Sequence, residues 1–285
     1  MRVETPRGDY AATVEAVAGT VEALEQRAGA RGSVGVGIPG TISHATGLVK
    51  NANSVWLIGK PLLADLQQRL RREVRIANDA NCFAVSEAAD GAAAGAEVVF
   101  GVIVGTGTGG GIVVRGEILT GPNGIAGEWG HNPLPWPADD ERPGPACYCG
   151  RHGCIETFLS GPGLQADYER HTLRQAQGRP GARQTPAQIV EHAARGDQGA
   201  RDALGRYAER LARALASVIN VLDPDVVVLG GGMSNIPVLY DEVPQLWGPF
   251  VFSDTVATRL LRAKHGDASG VRGAAWLWPP SAAGA

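Results

Sequence analysis

Three of the four cysteines in this chain, Cys147, Cys149 and Cys154, fall within eight residues, and His131 stands sixteen positions before the first of them. No other feature constrains the chain so strongly. The stretch reads Gly127-Glu-Trp-Gly-His131, then Cys147-Tyr-Cys149-Gly-Arg-His-Gly-Cys154-Ile-Glu156. Zinc binds thiolate and imidazole tetrahedrally, so a Cys3His set closes its shell and leaves no position for a reacting water. The spacing therefore predicts a structural zinc site. Glu128 lies three residues before His131 and Glu156 two after Cys154, so fixing the metal also brings two carboxylates near each other and shapes a polar ligand pocket. The alternatives are a disulfide cluster or ordinary small apolar residues. A secreted disulfide framework wants more cysteines, an even pairing and an export signal, and none of these is visible. Cys82, far from the cluster in an alanine-rich helical stretch, reads as a buried small residue.

With 285 residues, 44% of them apolar and 19% charged, the chain can bury a large core and divide into two lobes. The net charge of −3 and the lack of a dense Lys/Arg run give no argument for nucleic acid or an anionic membrane as partner. The first thirty residues are polar and charged, and no apolar run approaches the roughly 18 residues of a membrane span. A reducing cytoplasm is the default expectation. Forty glycines, many clustered, suggest loops whose backbone lines a ligand.

Residues 1–10 read as irregular, and Val14, Val17, Val21 and Leu24 then recur at helical spacing. A strand is expected at 33–38 and a helix after Pro61, carrying Leu62, Leu66 and Leu70. A short strand at 74–77 ends at Asn78-Asp79-Ala-Asn81, and a helix follows to about Gly95. The apolar run 98–104 enters Gly105-Thr-Gly-Thr-Gly-Gly-Gly111, a glycine-rich hairpin returning at 112–115. A helix beginning at Gly161 is interrupted by a solvated loop at 175–183. Leu211, Leu215, Val218, Ile219 and Leu222 mark a strong helix stopped by Asp223-Pro224. A buried strand at 226–229 runs into Gly230-Gly-Gly-Met-Ser-Asn235. An amphipathic closing helix at 270–278 precedes a frayed tail from Pro279. Alternating strands and helices, with strands ending in glycine or polar clusters, indicate an α/β protein that binds ligands at strand ends. The expected division is a small lobe of residues 1–96, completed by the C-terminal helix of 270–285, and a large lobe of 97–269.

Several segments can carry chemistry. Glycines at 105–111 let backbone N–H groups converge on a phosphate, with Thr106 and Thr108 adding hydroxyls. No Gly-Lys-Ser/Thr follows, so this is no Walker A loop, and the returning strand excludes a dinucleotide fingerprint. A plain glycine-rich turn is the alternative. Gly230–Asn235 suits adenosine or phosphate against the backbone, or is simply a tight turn. Asp79, at a strand end beside Asn78 and Asn81, is placed to take a proton from a hydroxyl, or to cap the helix it precedes. Asn51, Asn53, Glu128, His131 and Glu156 can hydrogen-bond sugar hydroxyls, though the two asparagines are equally turn formers.

Jointly, Ile-Ala-Asn78-Asp79-Ala-Asn81, the Gly-Thr-Gly loop, Gly127–His131, Cys147–Glu156 and Gly230-Gly-Gly-Met resemble the ROK sugar kinases, in the same order and over nearly the whole chain. Asn51-Ala-Asn-Ser-Val-Trp-Leu57, His131-Asn-Pro-Leu-Pro-Trp136 and His265-Gly-Asp-Ala-Ser-Gly-Val-Arg-Gly-Ala-Ala-Trp276 are similar to the bacterial fructokinase or manno(fructo)kinase branch. The resemblance implies an actin-like ATPase (ribonuclease H-like) fold, two lobes around a cleft, and ATP-dependent phosphorylation of a hexose hydroxyl with Mg²⁺. It implies Asp79 as general base and Asn53, Asn78, Glu128, His131 and Glu156 around the sugar. His131, Cys147, Cys149 and Cys154 would hold zinc, Gly105, Thr106 and Gly107 the ATP phosphates, and Gly231 and Gly232 would lie near the adenosine. It also suggests a homodimer, for which the apolar C-terminal half offers an interface.

The resemblance departs at the start. These kinases open with a strand and an Asp-x-Gly-Gly-Thr loop that contacts phosphates, and no such motif occurs here. Thr5-Pro-Arg-Gly-Asp-Tyr10 resembles the segment just after their first hairpin, so about two dozen residues are expected to be missing, through a misassigned start or a truncation, and phosphoryl transfer to suffer. An exposed sheet edge is the structural expectation. Two readings compete with the kinase. A sugar-responsive repressor of the same family would need a helix-turn-helix and a basic face, neither of which is present. A non-catalytic sugar-binding remnant has no need of Asp79 as a base.

Overall fold

The computed structural model describes residues 1–175 and 184–278. The expected loop at 175–183, apart from Gln175 itself, and the expected tail from Pro279 lie outside the described residues.

Helix α1 (Tyr10–Ala28) is capped by Asp9, whose carboxylate accepts from Ala12 N–H at 2.9 Å. There follow β1 (Val34–Ile38), a small hairpin of β2 (Thr41–Ile42) and β3 (Val49–Lys50), α2 (Leu62–Leu70), β4 (Val74–Asn78) and α3 (Asp79–Ala89). Then come β5 (Val98–Val104), β6 (Thr108–Val114), β7 (Glu117–Ile118), α4 (Ile155–Leu159), α5 (Gly161–Gln175), α6 (Pro186–Ala194) and α7 (Gln198–Leu222). The chain closes with β8 (Val226–Gly230), α8 (Val238–Leu246), β9 (Arg259–Arg262) and α9 (Ser269–Trp276).

Five strands form the main sheet in the order β7-β6-β5-β8-β9, antiparallel through the first three and parallel through β5, β8 and β9. The two-residue period of a strand sorts its side chains onto two faces. Phe100, Val102, Val227 and Leu229 join the core beneath α7, where Tyr207, Leu211 and Leu215 are buried. Val99, Val226 and Val228 face the other way and pack with Phe83, Ala84 and Val85 of α3. A separate cluster joins α1 and α2 to the parallel pair β1–β4, with Val14, Leu62, Leu66 and Val74 buried. Among the described residues no strand pairs with the second edge of β1, which borders a largely apolar groove of about 430 Å³ that reaches Asp79.

Helix α9 returns to lie against α3 and β1 at glycine contacts. A Cβ on Gly273 would sit 1.6 Å from the Cys82 carbonyl oxygen, and one on Gly35 1.7 Å from that of Ala274. Two expectations need correction, and one strand has no signal in the sequence. Helix α3 stops at Ala89 rather than near Gly95, because the buried Glu87 carboxylate turns the chain by accepting from Ala92 N–H at 2.9 Å. The glycine hairpin is shorter than 105–111, since Gly109–Gly111 belong to β6. Strand β9 went unforeseen because Arg-Leu-Leu-Arg has no alternation, and it is held by pairing with β8.

A buried ionic network ties the segment before the cysteines to α7. Glu141 accepts from Arg210 Nε (2.6 Å), Arg213 Nη2 (2.9 Å) and Ala138 N–H (2.8 Å), while Arg210 Nη1 donates to Asp167 (2.8 Å). Burial opposes the charge, but the bonds from Arg210, Ala138 and Arg213 hold the Glu141 carboxyl below its usual range. Glu141→Gln leaves two buried guanidiniums undercompensated and is expected to cost about 3 kcal/mol in urea denaturation. The folded carboxyl titrates below its unfolded value, so this contribution is complete above about pH 4.3 and fades as pH falls through the lowered folded value.

Candidate active site and metal centre

Strand β4 delivers Asn78 and Asp79 to the start of α3. Asn78 is the N-cap, its Oδ1 accepting from Ala80 N–H (2.9 Å) and Asn81 N–H (3.4 Å), while its Nδ2 donates to the Gly40 carbonyl (3.2 Å). The capping role weighed for Asp79 thus belongs to its neighbour. Asp79 is the first helical residue, with one oxygen 2.9 Å from Ala80 N–H. Its carboxylate reaches solvent along the cleft yet is hemmed in by protein, and this loss of hydration pushes its pKa up.

Glu128 and His131 sit on the turn between β7 and the cysteine segment. The turn is anchored by Trp129, which packs edge-on against Phe100 (5.5 Å) and donates Nε1–H to the Gly109 carbonyl (3.0 Å). Glu128 is pushed up, by partial burial first and also by the charges of Asp79 and Glu156, against the pull of His131 and Lys50. Asp79, Glu156, His131 and Lys50 therefore lie near enough to Glu128 for their charges to act on it. Asn53 is not drawn into this group by any side-chain bond and stands exposed on the 51–54 turn. Lys50, which sequence reasoning passed over, reaches across from β3 to donate to the Asn123 carbonyl at 2.7 Å.

Beyond the turn the chain folds into a knuckle. Cys147 N–H donates to the Arg151 carbonyl (2.8 Å) and Leu134 N–H to that of Gly153 (2.9 Å), bringing Cys154 beside His131. Gly153 has φ +70°, and a Cβ there would lie 2.9 Å from the Pro143 carbonyl oxygen. His131 Nδ1 is 3.5 Å from Cys147 Sγ, Cys149 and Cys154 Sγ are 3.6 Å apart, and all four ligand atoms lie within 4.8 Å of one another. A tetrahedron with bonds of about 2.3 Å has edges of roughly 3.8 Å, so the donor set fits a zinc-sized ion. None of the four cysteines is disulfide-bonded. Tyr148, between two of the ligands, brings its hydroxyl 2.9 Å from His131 Nε2. That hydroxyl is pushed up to about 12, by burial first and then by the charges of Glu156, Cys147 and Glu128.

Cys154 caps α4, whose first turn carries Glu156. The Glu156 carboxylate accepts from Thr108 N–H at 2.9 Å, and a Cβ on Gly107 would lie 2.7 Å from it. The loop 105–107 is closed by Gly105 N–H on the Gly107 carbonyl (2.9 Å) and braced by Gly161 N–H on the Gly105 carbonyl (2.7 Å). A cavity of about 750 Å³ opens beside it, lined by Gly105, Thr106 and Gly232 on one side and Pro186, Val190 and Ile236 on the other. Gly107 and Gly231 are not among its lining residues. Gly231, at φ +81°, packs against the end of β5, where a Cβ would meet the Val104 carbonyl oxygen at 2.5 Å, and it borders an adjoining cavity. The hydrophobic walls at Pro186 and Val190 were invisible in sequence because they come from a helix 80 residues downstream of the loop.

The sequence model of the ROK family matches residues 1–281. N-acetyl-D-glucosamine kinase of Shigella boydii is 42% identical over 280 residues, covering 97% of this chain and 90% of that protein. The crystal structure of the ROK hexokinase from Thermus thermophilus superposes with a TM-score of 0.81 at 33% identity, covering 96% of this chain and 88% of that one. A ROK glucokinase from Streptomyces griseus, in complex with glucose and AMPPNP, gives 0.77 at 27% identity, covering 97% and 90%. No described helix is long and apolar enough to cross a membrane. With family-wide similarity along its length, this fold and this convergence of groups, the chain belongs to the ROK family of sugar kinases and has their actin-like ATPase fold.

Proposed function

We propose that this ROK sugar kinase transfers the γ-phosphoryl group of Mg-ATP to the 6-hydroxyl of a hexose, with fructose preferred and mannose or glucose as further substrates. The observation that carries the reading is the meeting of Asp79, Glu128, Glu156 and His131 beside the loop 105–107. Phosphoryl transfer passes through a loose transition state, so the protein mainly aligns the hydroxyl, accepts its proton and neutralises phosphate charge. Asp79 is the general base. Restricted hydration raises its pKa and so makes it a better proton acceptor. Glu128, His131 and Glu156 accept or donate hydrogen bonds to the other sugar hydroxyls. Because Glu156 also holds Thr108 N–H, sugar wall and phosphate loop share one carboxylate. The loop 105–107 holds the ATP phosphates through the N–H groups of Thr106 and Gly107, and the apolar cavity at Pro186, Val190 and Ile236 takes the adenosine. His131, Cys147, Cys149 and Cys154 would hold Zn²⁺, which stiffens the knuckle and takes no part in the chemistry.

Fructose rests on the short segments 51–57, 131–136 and 265–276. N-acetyl-D-glucosamine is the second reading, favoured by the 42% identity to a kinase named for it. Coupled ADP release with Mg-ATP and each of fructose, mannose, glucose and N-acetylglucosamine tests both. Fastest turnover with fructose is the expected result. A preference for N-acetylglucosamine overturns the sugar assignment, and no turnover with any of them overturns the kinase in favour of a non-catalytic sugar-binding protein.

A further inference from the structure

We propose that Lys50 is a positioning residue for the hexose: its ammonium ties the β2–β3 hairpin to the 121–126 turn and so fixes the Glu128 wall of the sugar pocket opposite Asn78 and Asp79. The inference deepens the kinase reading and rests on it. Lys50 Nζ donates to the Asn123 carbonyl at 2.7 Å, across 73 residues of chain. The strand that carries it is anchored on its other side. Val49, 2% exposed, donates its N–H to the Lys60 carbonyl (3.0 Å), and its own carbonyl accepts from Gly59 N–H (2.9 Å). A hairpin of two residues per strand has too few ladder bonds to stand alone, so such anchors decide where its side chains reach.

The tie lies on a continuous line of contacts. At one end Asn78, which caps the helix beginning at Asp79, donates to the Gly40 carbonyl at 3.2 Å. Gly40 lies close against β3, where a Cβ would sit 2.8 Å from the Lys50 carbonyl oxygen and 2.9 Å from Ala52 Cβ. At the other end the turn that holds Asn123 is short and self-bonded, with Gly124 N–H on the Gly121 carbonyl (3.1 Å) and Ala126 N–H on that of Thr120 (3.2 Å). It runs straight into Glu128, whose N–H donates to the Ile125 carbonyl at 3.1 Å. The turn meets the hairpin at a second point, since a Cβ on Gly124 would lie 3.6 Å from His44 Nε2 and 3.7 Å from Thr41 Oγ1. A shift of the Asn123 carbonyl therefore moves Glu128. Lys50 also acts through its charge. Burial and the charges of Asp79 and Glu156 push the Glu128 carboxyl up, and His131 and Lys50 draw it down. An ammonium held there offsets the repulsion among carboxylates that share one sugar. Asp79 and the loop 105–107 rest on α3 and on β5 and β6, which the tie does not touch, so its loss falls on sugar capture more than on ATP binding or transfer.

The test compares wild type, Lys50→Met and Lys50→Arg in steady-state turnover with Mg-ATP and the best of fructose, mannose, glucose and N-acetylglucosamine, with sugar Kd by calorimetry and the thermal midpoint measured on each. Methionine keeps an unbranched apolar stem and loses both the bond and the charge. Lys50→Met should raise the KM and Kd of the sugar about tenfold, lower kcat by a smaller factor and leave the KM for ATP within about twofold. A single bond to a carbonyl asks only for a charged donor of sufficient reach, so Lys50→Arg should recover most of the sugar affinity. Unchanged sugar KM and Kd in Lys50→Met overturn the inference. So does an equal rise in the KM for ATP, a loss of affinity that follows a fallen thermal midpoint, or arginine no better than methionine, because each means that the tie only supports the fold. If wild type neither binds nor phosphorylates any of the four sugars, the kinase reading fails and takes the inference with it. If wild type turns over a hexose and Lys50→Met is indistinguishable from it, only the inference fails.

Discussion

Asp79→Asn is expected to lower sugar-dependent ATP turnover by about 10²- to 10⁴-fold while the chain still folds and binds sugar. Asparagine is nearly isosteric, and the bond from Ala80 N–H, at 2.9 Å, can be made to an amide oxygen as well as to a carboxylate. The Asn78 cap is untouched, so α3 keeps its start. The substitution removes the carboxylate proposed to accept the hydroxyl proton. The pH profile adds a second readout. Restricted hydration raises the Asp79 pKa, and the base must be ionised to act. Turnover should therefore fall as pH drops through a value above the usual aspartate range, and residual turnover of the Asn variant should lack that limb. Turnover in Asp79→Asn within a few-fold of wild type would remove Asp79 from the mechanism.

The second large effect concerns the metal. Cys154→Ser should abolish stoichiometric zinc binding, lower the thermal midpoint by about 10 °C or more and remove kinase activity together. Structural zinc sites of this kind carry apparent binding energies on the order of 10 kcal/mol, and where no preformed site survives unfolding that energy is folding energy. Cys154 is 1% exposed and caps the helix bearing Glu156. Releasing it frees both a pocket carboxylate and the grip of Glu156 on Thr108 N–H. Chelation of the wild type should have the same outcome, reversed by added Zn²⁺. A Cys154→Ser variant as stable as wild type would mean that the cysteines are ordinary core residues.

Much of this could be read from the chain alone because its signals are local. Strands β5 and β8 are uninterrupted apolar runs, α7 repeats at helical spacing to Asp223-Pro224, and the four metal ligands carry their geometry in their spacing. The helix cap at the end of β4 was less legible. Asn78 and Asp79 are both good caps, and only the backbone turn decides which side chain faces the helix N–H groups.

By itself, the sequence determined the family, the alternation of strands and helices, and the ligand set at 131–154, since each is written in contiguous residues or short spacings. Tertiary structure decided which groups meet. Glu156 reaches Thr108 N–H across 48 residues, and Glu141 joins Arg210 across 69. Tyr148 brings its hydroxyl to His131 while its ring stays open to solvent, and Gly231 faces β5 rather than the large cavity. Those outcomes depend on how α4 and α7 seat on the five-stranded sheet. Packing of buried faces sets that seating, and no short stretch of sequence contains both partners.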